Sequence, residues 1–351
     1  MGFVIFIIVV IIIAIANSGS SSKKPVETQQ QRQERLLREQ QRAAERQRQI
    51  ERERQATLQR QQEEQQRQLS LTRQRQALKV HRLSLQETGT DYCTTIASIM
   101  QPVPNFWKMY EHNIQLSSHL TASQILNTNN GIAIIQDSQT LINYITAYGG
   151  MHYHKLQSAF NYLFPQLPNL PIDIVDYGCG QALASIAFYD YAIRNNKNIN
   201  VDKIILIEPS EIALKRGILK LNYFIDYKNH HVELSKVNKR LDNITNADLT
   251  SNDSNIKVHL LSNILDVDSF NYIQLANKIK ATQKGTNYFV CVSPDNNNAL
   301  NRINSFQSCF IHTSIPCQTG TIYGKAFRVV GKSWLENYNI TMVLKIFRCN
   351  L

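Results

Sequence analysis

Apolar and polar positions divide the chain into four stretches. Residues Phe3 to Ala16 are uninterrupted apolar, mostly Ile and Val. That run falls short of the ~20 residues an untilted membrane span needs, yet it is the most membrane-like segment present. From Thr28 to about Leu85, Gln, Arg and Glu dominate with no Pro and no Gly. These residues lose little on entering a helix, so the stretch predicts one long helix. Its apolar residues are sparse and keep a spacing of seven only at Leu71, Leu78 and Leu85, which leaves a solvated spacer and a loose coiled coil both open. Near Thr88 aromatic and mixed apolar residues take over, predicting several helices with breaks at Pro102, Pro104 and the Asn129-Asn130-Gly131 turn. Beyond a linker holding Pro165, Pro168 and Pro171, short apolar runs alternate with helical stretches. Strands are expected at 172–176, 203–207, 257–261 and 288–292, with last strands at 325–330 and 340–348, antiparallel near one edge. The first strand is followed by a helix over 183–193, the second by a helix capped by Ser210. Alternation of this kind predicts an α/β fold, a mostly parallel sheet with helices on both faces. The expected domains are 1–20, a membrane anchor; 21–87, the long helix or coiled coil; 88–168, a helical subdomain; and 169–351, the α/β domain.

Charge changes the picture of the helix more than that of the domain. The formal net charge is +11, but between Lys23 and Arg82 there are 16 Lys or Arg against 8 Asp or Glu, so +8 of it lies there. The α/β domain is close to neutral, which argues against a nucleic-acid grip by that domain. The basic helix is the part suited to RNA or anionic lipid, or to self-association through its few leucines. No charge precedes the apolar run, whereas Lys23, Lys24 and many Arg follow it. The positive-inside rule then places the bulk of the chain in the cytoplasm behind a single-pass anchor. A cleaved signal remains the alternative, since Ala14-Ile15-Ala16 has the small-x-small form of a cleavage site. The six cysteines are scattered singly, without metal-type pairs, and reduced thiols are expected. His230, His231 and Glu233 match no metal spacing.

The chemistry concentrates at 172–193. The first strand ends in Asp176 and runs into Tyr177-Gly178-Cys179-Gly180-Gln181-Ala182 before the helix. Glycines let the backbone turn sharply and approach a ligand, and the helix start presents unpaired N–H groups beside it. The second strand ends in Glu208, placed to accept hydrogen bonds from two ribose hydroxyls. The bland alternatives are a carboxylate that caps the glycine turn for Asp176 and a surface acid before Pro209 for Glu208.

Val175-Asp176-Tyr177-Gly178-Cys179-Gly180-Gln181-Ala182 resembles the first motif of the class I S-adenosylmethionine-dependent methyltransferases, whose fold is Rossmann-like. The resemblance implies S-adenosylmethionine as cofactor and methyl transfer as the reaction. It places Asp176, Gly178, Cys179 and Gly180 at the amino acid end of the cofactor and Glu208, followed by Pro209, at the ribose. It also puts Asn263, after the third expected strand, at the adenine edge, with Ile264 packed on the ring. The segment Tyr148 to Lys155 falls where the family's helix closes over the methionine end. The departures are definite. Ala182 replaces a third glycine and Leu183 breaks the GxGxxG spacing of dinucleotide sites, which disfavours a dehydrogenase. After the fourth strand Ser293-Pro294-Asp295-Asn296 stands where amino-methylating enzymes carry Asn-Pro-Pro-aromatic, so neither the acceptor nor the catalytic residue can be read. His152, Lys155, Ser293 and Asp295 are the candidates. The expected function is a membrane-tethered methyltransferase. The alternative is an inactive methyltransferase-fold scaffold working through its basic helix.

Overall fold

A computed structural model describes residues 28–128 and 133–351. The expected membrane segment and the Asn129-Asn130-Gly131 turn lie outside the described residues. Among the described residues no helix is long and apolar enough to cross a membrane. The chain divides into two units, Met1–Leu71 and Thr72–Leu351.

In the first unit the described residues belong to helix α1, Gln29–Leu85. Its leucines and isoleucine at 36, 37, 50, 58 and 69 are all at least 50% exposed. It carries no buried apolar stripe, so side-chain pairs one turn apart support it, such as Gln59 donating to Glu63 at 2.9 Å.

The second unit begins earlier than the change in composition at Thr88 suggests. The last turns of α1 are built into it: Leu85 packs against the core, and Arg82, only 2% exposed, donates to Asn222 Oδ1 at 3.2 Å and Asp226 Oδ1 at 2.6 Å. Glu87 pairs with the buried Arg216, accepting from its Nη2 at 2.8 Å, and that guanidinium lies over the Tyr92 ring. Leu78 and Leu85 keep their heptad spacing within this unit, and both are half-buried.

Four helices follow: α2 Asp91–Ile99, α3 Phe106–Leu116, α4 Ala122–Leu126 and α5 Ser138–Leu163, each started by a polar cap, Thr90, Asn105, Thr121 and Asp137. They are fastened to the α/β part by the buried Asp190 of α6, Leu183–Arg194. Its carboxylate accepts from Phe106 N at 3.0 Å, from the Tyr153 hydroxyl, and from Arg194 Nε at 2.8 Å.

The parallel strands are β1 Ile172–Tyr177, β2 Val201–Ile207, β3 Glu233–Val237, β4 Ile256–Ser262 and β5 Thr286–Ser293. Three more follow: β6 His312–Ile315, β7 Gly320–Arg328 and β8 Ser333–Asn350. The sheet runs β3-β2-β1-β4-β5-β8-β6, with β7 paired to β8 off that path. Helix α7, Glu211–Tyr227, joins β2 to β3; α8, Tyr272–Thr282, joins β4 to β5; and α9, Asn297–Ser308, follows β5.

Alternate residues of each parallel strand enter separate cores. Ile174, Ile204, Leu206, Val258 and Val290 pack with α5, α6 and α7, whereas Val175, Ile205, Ile207, Leu261 and Phe289 pack with α8 and α9. Burial on both faces is why these strands read as continuous apolar runs.

One expectation is corrected. The strand at 257–261 is the fourth, because the short β3, with Glu, Ser and Lys at three of its five positions, lacks an apolar signature. The final strand β8 is antiparallel and lies near one edge, between β5 and the edge strand β6. The stretch after Asp295 supplies β6, β7 and β8 of an eight-stranded sheet.

Candidate functional site

The chain runs outward from β1 through β2 to β3, then crosses to the far side of β1 for β4 and β5. A crevice opens where the order reverses, at the carboxyl ends of the strands, and that is where open α/β sheets bind ligands. A cavity of about 700 Å³ lies there. Every parallel strand contributes to its lining just past its end: Gly178, Gly180 and Gln181 after β1, Glu208 to Ser210 after β2, and Lys239 to Leu241 after β3. Asn263, Ile264 and Asp266 follow β4, and Pro294 follows β5. Helix α5 closes one side with Leu141, Tyr144, Tyr148 and His152, residues spaced to share one helical face.

The glycine turn is shaped by backbone geometry. Gly178 and Gly180 have φ of +60° and +51°, a region glycine enters without steric penalty. Ile264 presses on the turn: a Cβ on Gly178 would lie 2.6 Å from Ile264 Cδ1. Ala182, at the third glycine position, is itself left-handed with φ 58°, so this departure from the motif keeps a glycine-like conformation in a residue that tolerates it less well. From behind, α7 approaches so closely that a Cβ on Gly217 would lie 2.6 Å from the carbonyl carbon of Gln181. Gln181 is locked at both ends of its amide, donating to Leu141 O at 2.8 Å and accepting from the buried Lys220 at 2.7 Å.

Glu208 is the carboxylate the turn presents to the cavity. Its Oε2 accepts from Gly180 N at 3.1 Å and its Oε1 from Ser210 N at 2.9 Å. Each oxygen keeps a second lone pair for a ligand. Burial raises its pKa, while the two amides oppose that rise. Ser210 caps α7 by accepting from Ala213 N at 3.2 Å and donates to Ile135 O at 2.6 Å, tying the neighbouring cavity wall to the β2 end.

Other expected site residues are placed differently. Asp176 is 1% exposed and does not line the cavity. Its Oδ2 accepts from Ser185 N at 3.1 Å and Ser185 Oγ at 2.7 Å. It therefore holds the start of α6, and burial pushes its pKa up to about 6 against those bonds. Cys179 is also buried and outside the lining, its thiol pushed up by desolvation and then by the nearby carboxylates.

Asn263 and Ile264 do line the cavity, but from β4, across the glycine turn from Glu208. The residues that follow the third strand are Lys239, Arg240 and Leu241, which also line the cavity. The adenine role expected of Asn263 and Ile264 rests on counting β4 as the third strand, and they follow the fourth.

Asn263 instead belongs to a polar cluster. Its Oδ1 accepts from Lys155 Nζ at 3.3 Å, and its Nδ2 donates to Ser262 Oγ at 3.0 Å. Lys155 is 5% exposed. Burial lowers its pKa to about 8, with the charge of Asp266 acting in the opposite sense. Ser293 is fully buried and donates to Asp266 Oδ1 at 3.1 Å. His152 is driven down to about 3 by burial and by the Lys155 charge, which leaves it neutral. Lys155 thus bonds to Asn263 and Ser293 to Asp266, while His152 lines the same cavity from α5. Asp295 is exposed and outside the lining.

Tyr144, Lys239, Arg240 and Asp266 were not singled out by sequence. The aromatic spacing 144, 148, 152 was the available signal, since steps of four place rings on one side of a helix.

No protein-family profile matches the chain, and no curated relative does either. Among solved structures it is similar to SCL7 of Oryza sativa, at 8% identity over 78% of this chain and 98% of that one, with TM-score 0.40. It is similar to the precorrin-6y C5,15-methyltransferase of Geobacter metallireducens, at 12% identity over 55% and 87%, with TM-score 0.35. It is also similar to the glycopeptide N-methyltransferase MtfA complexed with (S)-adenosyl-L-methionine, at 9% identity over 56% and 94%, with TM-score 0.33. S-adenosylmethionine-dependent methyltransferases thus stand among the structures similar to this chain.

Proposed function

We propose that this chain is an S-adenosylmethionine-dependent methyltransferase that holds its methyl donor across the carboxyl ends of β1, β2 and β3. The observation that carries the reading is Glu208. Its carboxylate is aimed by two backbone amides, one of them from the glycine turn, and it borders a cavity at the reversal of strand order. The residues fit a ribose-bearing ligand: the carboxylate has lone pairs for two hydroxyls, and the turn brings bare backbone close to the remainder. Leu241 supplies apolar surface for a flat base, and Arg240 borders it.

When bound, S-adenosylmethionine supplies a methyl group on a sulfonium, already a good leaving group. The protein's work is therefore alignment and exclusion of water. Gly178 and Gly180 permit close approach, Glu208 fixes the ribose, and the α5 face with its rings closes the opposite side. Calorimetric titration of S-adenosylhomocysteine into the full chain tests the reading. Micromolar binding, weakened at least ~10-fold by Glu208→Ala through loss of charged hydrogen bonds, is the expected result. Folded protein with no affinity would favour the scaffold reading instead.

We further propose that the apolar run at 3–16, with Lys23 and Lys24 after it, tethers this activity to the cytoplasmic face of a membrane. The Arg-rich exposed helix is suited to anionic lipid or RNA near that face. Protease accessibility in intact against opened cells reads the orientation.

A further inference from the structure

Among the described residues, no connection supplies more of the cavity wall than the one between β4 and α8. Ile264, Asp266, Val267, Asp268, Ser269 and Phe270 all line it. This segment is neither helix nor strand, so its backbone carbonyls have no ladder to enter and need other partners. They find them on α9. Arg302 donates from Nε to Leu265 O at 2.6 Å, and from Nη2 to Val267 O at 2.9 Å and Phe270 O at 3.3 Å. Its Nη1 lies 3.3 Å from Asp268 Oδ1. Asn298, one turn earlier, donates to Asp266 O at 3.4 Å. The guanidinium carbon also lies 5.5 Å from the centroid of the Phe270 ring and 5.3 Å from that of Tyr272, within cation–π range.

Every polar partner of Arg302 belongs to that one short segment. Arg302 itself is outside the lining, and its side chain is only 16% exposed. A planar fork of five N–H groups in fixed geometry suits such a role, because the backbone wound around it satisfies all the donors in only one arrangement. The effect reaches the glycine turn. Leu265, whose carbonyl Arg302 holds, is fully buried, and the residue before it, Ile264, is the one that presses on Gly178. The residue after it, Asp266, accepts from Ser293 at the end of β5. Releasing the segment from α9 would therefore loosen the cavity wall and the packing on the turn together.

We propose that Arg302 is a positioning residue of the site: it holds the segment between β4 and α8 in one conformation and thereby sets how tightly, and for how long, the cavity keeps its occupant. The proposal rests on the donor reading only for the identity of that occupant. Arg302 acts without touching the ligand, through the carbonyls it gathers.

The test compares the full chain with Arg302→Gln and Arg302→Lys, by hydrogen exchange without ligand and by the binding kinetics of S-adenosylhomocysteine. The reporting amides are Val267 N, bonded to Ile264 O at 3.2 Å, and Asn271 N, bonded to Asp242 Oδ1 at 2.9 Å. In Arg302→Gln both should exchange at least ~10-fold faster while the amides of β1 and β2 keep their rates, because only a local opening is made easier. S-adenosylhomocysteine should bind about 10-fold more weakly, through faster dissociation, as charged hydrogen bonds that fix the wall are lost. Arg302→Lys keeps the charge but not the fork, so it should fall between the two chains, and it gives the same readings should the glutamine variant fail to fold. A residue that merely supports the fold would speed exchange across the whole sheet and leave the affinity of the folded molecules as it was. Either of those results, or unchanged exchange at the two reporting amides, overturns the proposal. The donor reading fails separately: if S-adenosylhomocysteine does not bind the unaltered chain, that assignment falls, and local against uniform exchange alone decides whether Arg302 holds the wall.

Discussion

Replacing Gly217 by alanine sets two opposed effects against each other. An alanine in the middle of α7 has the better helix propensity, by up to about 1 kcal/mol. Its Cβ, however, would lie 2.6 Å from the Gln181 carbonyl carbon and 2.9 Å from both Ala182 N and Gln181 O. Ordinary carbon contacts lie near 3.5–4.0 Å, so helix and turn would have to separate by about 1 Å. The neighbours are backbone, not a flexible side-chain tip. Moving α7 also disturbs Lys220 on Gln181 and the Arg82 and Glu87 contacts on the same helix. Overpacking of this kind costs about 1–3 kcal/mol, so a net loss of about 1–2 kcal/mol is expected. The displaced turn carries Gln181 and Gly180, both in the cavity lining, so S-adenosylhomocysteine affinity should fall as well. Urea unfolding followed by circular dichroism gives the first quantity and calorimetry the second. A variant stabilised by about 1 kcal/mol with unchanged affinity would mean that propensity alone acts at this position, and the close approach of α7 to the turn would be refuted.

Two further outcomes are expected. His259 is fully buried between the Tyr177 hydroxyl, 3.0 Å from its Nδ1, and Asn287 Oδ1, 2.8 Å from its Nε2. Desolvation pushes its pKa down to about 4 from 6.5. The unfolded chain therefore takes up a proton that the folded chain refuses as pH drops below 6.5, and stability is lost between about pH 6.5 and 4, by roughly 3 kcal/mol in all. Urea midpoints at pH 7 and 4.5 should show that decline, and His259→Gln should remove this share of it; an equal decline in both chains would refute the assignment. Glu87→Ala leaves the Arg216 guanidinium, 1% exposed, without its carboxylate, and a loss of about 3 kcal/mol is expected. Midpoints unchanged within error would show that the segment just after α1 is not integral to the second unit.

The strands nearest the glycine turn were legible because they are buried on both faces. Ile172–Tyr177 is apolar except for Asp173 and Asp176, Lys203 leads into the unbroken apolar run Ile204–Ile207, and the turn between β1 and α6 has its own chemistry. What escaped notice was β3. With Glu233 exposed and Ser235 and Lys236 half-buried at the sheet edge, it carries no strand-like run, and its absence shifted the count of every later strand. Asn263 consequently reads as following the third strand, and it follows the fourth. The inward rotation of Asp176 was illegible for another reason. Whether a carboxylate at a strand end meets a ligand, the glycine turn or the next helix depends on side-chain direction, and here it meets the helix, through Ser185. The packing of the last turns of α1 into the second unit was illegible as well, because Arg82 and Glu87 look like the solvated residues before them. Their burial follows from partners on α7, more than 120 positions away.

The single carboxylate of Asp190 holds an amide of α3, a hydroxyl of α5 and a guanidinium of α6 at once. Three elements joined at one buried anion cannot separate pairwise without stranding it, so the helical layer and the sheet should melt as one cooperative body rather than hinge apart. A ligand then gains entry through the borders of the cavity at 133–135, 239–241 and 264–270. Amide hydrogens there should exchange by small local openings, while those around Asp190 exchange only with global unfolding.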